Sequence, residues 1–128
     1  MRAVDTNVLV RFLTRDDQQQ AARARKVMEQ GVFIPKTVLL ETAWVLRYTY
    51  EFDRTAVAEA LEKVCGLPEV VVEDIAIVTQ ALTWYTSGFD FADALHLAAS
   101  AKADSFYSFD RALAKKAKAA STIPILVP

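Results

Sequence analysis

Short β-branched runs alternate with longer segments of helical spacing along the chain. Arg2 to Asp5 predicts a brief strand that ends on the aspartate. Thr6 follows as a helix cap, and Asn7 to Leu13 forms a first helix. Asp17 to Gln30 predicts a second helix, with Ala21, Ala24, Val27 and Met28 at helical spacing and Gly31 closing it. Val32–Ile34 is a buried strand stopped by Pro35. Lys36 to Tyr50 is a helix apolar nearly all round, through Val38, Leu39, Leu40, Ala43, Trp44, Val45 and Leu46, so burial on most sides is expected. Asp53 caps a helix that runs through Val64 before Gly66 and Pro68 break it.

The second half repeats the alternation. Val70–Val72 is a third strand, Asp74 to Tyr85 a helix and Ser87-Gly88 a turn. Phe91 to Ala103 is another helix apolar on most sides. Ser105–Phe109 makes a fourth strand, Arg111 to Ala120 a basic helix, and Ile123–Val127 a fifth strand. Strands joined through helices require right-handed crossovers and a parallel sheet covered on both faces. The expected fold class is therefore α/β: one domain over residues 1–128, a three-layer α/β/α sandwich with a central, mainly parallel five-stranded sheet.

Totals narrow the function classes. With 128 residues the chain can bury one core but not two ordinary ones, and 53% hydrophobic residues with only 3 Gly and 4 Pro imply short loops and little disorder. The longest charge-free run, Ile75 to Phe89, holds Thr79, Gln80, Thr83, Thr86 and Ser87, and is too short and polar to span a bilayer. The opening Met-Arg-Ala-Val-Asp offers no apolar signal region, so a cytoplasmic location is expected. A single cysteine, Cys65, excludes an internal disulfide and a thiolate-rich zinc site; it reads as a small buried hydrophobe. A single histidine, His96, argues against multi-histidine chemistry. The net charge of −1 is not the bulk footprint of a nucleic-acid binder, although Arg111, Lys115, Lys116 and Lys118 form a local basic cluster. That cluster reads equally as a solvated helix face or as a phosphate contact.

Four acidic residues change this picture. Asp5 and Asp110 fall at the carboxyl ends of expected strands, where parallel α/β sheets place their ligand sites; each could instead be a helix cap. Glu41 lies between Tyr48 and Val45 on a helix expected to be buried, where an unpaired glutamate is almost never found. An ion pair with Arg47 is its structural alternative. Asp93 opens the apolar face of its helix, with Asp90 three residues earlier assigned to the N-cap. Carboxylates gathered away from water repel and protonate unless a cation holds them. An all-oxygen set suits Mg²⁺, with Mn²⁺ able to substitute, and the chemistry it implies is phosphodiester hydrolysis. His96 reads as a ring packed in the core or hydrogen-bonded to a neighbour, and Trp44, Trp84 and Phe106-Tyr107 read as core or dimer contacts.

Val4-Asp5-Thr6-Asn7-Val8-Leu9, the helix with Leu40-Glu41-Thr42 and Trp44-Val-Leu46, the segment Asp90-Phe-Ala-Asp93-Ala-Leu-His-Leu-Ala-Ala99, and Ser108-Phe-Asp110 together resemble the PIN domain, most closely the VapC-type toxin ribonucleases. The resemblance spans the chain. It implies that Asp5, Glu41, Asp93 and Asp110 form the family's acidic quartet and that Thr6 and Asn7 support the first aspartate. Ser108 stands where a threonine is common and keeps a hydroxyl. It further implies a Mg²⁺-dependent endoribonuclease acting on structured RNA such as tRNA or rRNA, a homodimer, and a cognate antitoxin protein as partner, with no membrane involved. Competing readings are a nuclease of RNA maturation, a phosphoacceptor domain and a non-catalytic interaction module. A phosphoacceptor site has no use for a glutamate within a helix, and four intact carboxylates disfavour a decayed module.

Overall fold

A computed structural model describes residues 1–120 and 122–128. They form two compact units, Met1–Ile75 and Ala76–Pro128.

In the first unit, β1 (Arg2–Ala3), β2 (Val32–Ile34) and β3 (Val70–Val72) make a parallel sheet in the order β1-β2-β3. Arg2 stands opposite Val32, and Val32 opposite Val70. Two helices join each successive pair of strands: α1 (Thr6–Thr14) and α2 (Gln18–Glu29), then α3 (Lys36–Tyr48) and α4 (Arg54–Cys65). Such long crossovers are what parallel pairing demands. α1 packs on α2 and α3, α3 on α4, α2 against β2 and α4 against β3. The core fills with Leu9, Val32, Ile34, Leu39, Leu46, Val57, Leu61 and Val64, all essentially inaccessible to water.

Aspartates start the helices. Asp17 Oδ1 accepts from Gln20 N–H at 3.0 Å and Asp53 Oδ1 from Ala56 N–H at 2.8 Å, satisfying donors that a helix end leaves free. Pro35 precedes α3 and has no capping side chain, so the cap arrives from elsewhere: Glu73, just past β3, accepts Lys36 N–H at 2.9 Å. Lys36 Nζ meets Asp74 at 2.6 Å. The start of α3 is thus pinned to the end of β3.

The second unit holds most of α5 (Ile75–Thr86), then α6 (Phe91–Ala99), β4 (Phe106–Tyr107), α7 (Arg111–Ala119) and β5 (Ile125–Leu126). β4 pairs with β5 in parallel, Phe106 opposite Ile125. Val78, Ala81, Tyr85, Phe91, Ala94, Leu97 and Leu113 are among its buried side chains, and Tyr85 meets Phe91 edge to face at 5.6 Å.

Three expectations need correction. The five strands divide into a three-stranded and a two-stranded sheet instead of one five-stranded sheet. The cap of the first helix is Asp5, one residue before Thr6. α3 is not buried on most sides, since Trp44 and Tyr48 are 60% and 63% exposed. Several elements are also shorter than expected, α6 ending at Ala99 and α3 at Tyr48.

Burial predicts which side chains carry stability. Leu46→Ala, at a fully enclosed site, should cost about 2–5 kcal/mol. Gly88 holds a φ of +119, so Gly88→Ala should cost about 1–2 kcal/mol. Urea denaturation midpoints check both, and an unchanged midpoint for Leu46→Ala would contradict the packing described.

Candidate metal and nuclease site

The first unit brings Asp5 and Glu41 to one residue. Thr6 begins α1 directly after β1, and its backbone N–H donates to Asp5 Oδ1 at 2.6 Å. The Thr6 side chain is buried, and its hydroxyl donates to Glu41 Oε1 through a short hydrogen bond. Ionised carboxylates only accept, so one threonine supplies donors to two of them. Glu41 itself is exposed, which corrects the expectation of a buried glutamate. Nor does it pair with Arg47: that guanidinium bonds the Phe52 carbonyl at 3.3 Å and lies 5.6 Å from the Tyr48 ring. Asn7 is exposed and lines a cleft between α1 and α2 together with Arg11, Gln20 and Arg23.

The second unit gathers Asp90, Asp93 and Asp110. Asp90 caps α6, its Oδ2 accepting Asp93 N–H at 3.1 Å, as expected. Asp110 caps α7, its Oδ1 accepting Leu113 N–H at 3.1 Å, while Ser108 Oγ accepts Asp110 N–H at 3.0 Å. The hydroxyl of Ser108 thereby fixes the backbone from which Asp110 projects. Capping uses one oxygen of each aspartate and leaves further acceptor capacity on the other. Asp93 is half-buried with its carboxyl held above the usual carboxylate range, first by burial and then by the charges of Asp90 and Asp110; His96 and Lys116 oppose the rise. Crowded, partly desolvated negative charge is what a bound cation relieves.

Among the described residues, no three of the His, Cys, Asp and Glu side chains are arranged to hold a metal ion. The donors do fit a hard divalent cation in kind, being carboxylate oxygens with raised proton affinity at Asp93. His96 is exposed on α6. Burial pushes the Cys65 thiol up to about 11, so it stays protonated and is no soft ligand at neutral pH. Sequence reasoning passed over Glu73 and the specific place of Lys116, whose Nζ donates to the Gly88 carbonyl at 3.0 Å. Both act through long-range contacts that no local pattern signals.

Asp5 follows β1 and Asp110 follows β4, at the strand ends where parallel α/β sheets form their ligand sites. Residues 2–119 match the PIN domain, and the chain belongs to that family. PIN domains are generally nucleases and usually employ divalent metals. A comparison with curated proteins gives no match. No helix among the described residues is long and apolar enough to cross a membrane.

The raised proton affinity of Asp93 has a signed consequence. With its folded pKa above the unfolded value, its contribution to stability is full below the unfolded pKa and is lost as pH rises through the folded pKa. Asp93→Asn should therefore melt higher than wild type at pH 7 without metal, the gain shrinking below about pH 4. Thermal melts across pH check this, and an equal or lower melting temperature at pH 7 counts against the crowding.

Proposed function

We propose that the protein is a Mg²⁺-dependent endoribonuclease in which Asp5, Glu41, Asp93 and Asp110 hold the metal, with Mn²⁺ able to substitute. The observation that carries this reading is the environment of Asp93, whose carboxyl is pushed toward protonation first by burial and then by the charges of Asp90 and Asp110, in a chain of the PIN domain family. When bound, the cation supplies positive charge to the phosphodiester and acidifies the attacking water. The chain's own residues orient the donors. Thr6 fixes the direction of Asp5 and Glu41, and Ser108 fixes the backbone of Asp110. Asp90, engaged in capping α6, adds negative charge beside Asp93. Asn7 lies next to this support on the first turn of α1 and serves as a further polar contact.

The biological setting belongs to the same reading: the toxin of a VapBC-type pair, working in the cytoplasm as a homodimer on structured RNA such as tRNA or rRNA. A cognate antitoxin would silence it, most simply by pairing an arginine with two carboxylates, since a planar guanidinium can replace the charge of the metal.

Asp5→Asn, Glu41→Gln and Asp93→Asn should each fold and lose about 100-fold or more of Mg²⁺-dependent RNA cleavage. Asp110→Asn should lose less, and EDTA should mimic the severe variants. Cleavage that survives both EDTA and Glu41→Gln would remove the metal nuclease. Growth arrest on expression, relieved by Asp5→Asn and by coexpression of an adjacent small gene, tests the toxin setting. Arrest that persists with Asp5→Asn would detach toxicity from this chemistry.

A further inference from the structure

A lysine beside several aspartates ordinarily pairs with one of them. Lys116 does not: among the described residues it forms no ion pair, although its charge is felt at Asp93. Its Nζ instead donates to the Gly88 carbonyl at 3.0 Å, in the turn two residues before the α6 cap Asp90. The side chain leaves α7 one turn after buried Leu113, and the residue is exposed. An ammonium carries three donors, and the Gly88 carbonyl uses one, so two remain for an incoming anion. The other basic residues of α7, Arg111, Lys115 and Lys118, are exposed as well. Only Lys116 is tethered to the loop that leads into Asp90 and Asp93.

A polyanionic substrate approaching three aspartates meets repulsion, and metal charge at the carboxylates does not by itself hold the flanking phosphates. Resting on the nuclease reading above, we infer that Lys116 is a substrate-contacting residue: its ammonium, parked on the Gly88 carbonyl, takes a backbone phosphate of the RNA beside Asp93. The contact is with the backbone, so it raises affinity without selecting a base.

The test follows binding of a fluorescently labelled RNA stem-loop by anisotropy over a range of KCl, with Ca²⁺ replacing Mg²⁺, and cleavage separately in Mg²⁺. Lys116→Gln should weaken binding roughly 5-fold near 0.1 M salt and flatten the slope of log affinity against log salt by about 0.7–0.9, one phosphate's worth. Lys116→Arg should restore both, and Lys63→Gln, a charge removed from α4, should leave the slope alone. A slope unchanged by Lys116→Gln overturns the inference and leaves a strut between α7 and Gly88, which a lowered melting temperature would reveal. Absence of RNA binding by the wild-type protein overturns it too. Binding that depends on Lys116, with no cleavage in Mg²⁺ or Mn²⁺, keeps the phosphate contact and removes the nuclease.

Discussion

Thr6 satisfies two carboxylates with the only two donors it owns, and much of the first unit follows from that fact. Its backbone N–H is committed to Asp5 and its hydroxyl to Glu41, so the first turn of α1 and the second turn of α3 are held in register by one buried residue. The tie works only if β1 delivers α1, and β2 delivers α3, from neighbouring positions in the sheet, as the parallel pairing of Arg2 with Val32 ensures. Glu73 then fixes α3 from the opposite neighbour, β3, by capping Lys36. A three-stranded sheet with very short strands thus acts as a jig for two acidic side chains, one capping α1 and one on α3.

Much of this was readable from the chain because its punctuation is unambiguous. Val32–Ile34 is bracketed by Gly31 and Pro35, Val70–Val72 is a pure β-branched run, and both strands stand at the expected bounds. Asp53 and Asp90 cap where local rules put them. Where neighbouring residues were equally good caps, the local rule failed. Thr6 and Asp5 both suit an N-cap, and the choice is made by Glu41, which claims the threonine's hydroxyl from thirty-five positions away. Sheet membership failed similarly, because strands of two or three residues contain too little pattern to reveal their partners.

The helix carrying Glu41 shows the limit of counting apolar residues. Its composition predicts burial on nearly all sides, yet Glu41, Trp44 and Tyr48 lie along one exposed stripe, while Leu39, Thr42, Ala43 and Leu46 face inward. Tryptophan and tyrosine count as apolar in any such tally although each has a polar tip that tolerates water. Thr42, which the tally treats as polar, is fully enclosed because its hydroxyl bonds the Val38 carbonyl at 2.7 Å within the helix. In the second unit the same economy recurs with charge: aspartates that cap helices also crowd Asp93, so the residues that shape the chain locally add to the burial that raises its proton affinity.

The placement of the two tryptophans gives the molecule a pair of built-in optical labels. Trp44 belongs to the first unit and is largely open to solvent; Trp84 belongs to the second and stacks on Phe89 with ring centres 5.8 Å apart. Collisional quenchers in solution therefore reach one indole far more readily than the other. With each tryptophan replaced in turn by phenylalanine, emission reports on one unit alone, and coincidence or separation of the two unfolding curves tells whether the chain melts as one cooperative block or as two.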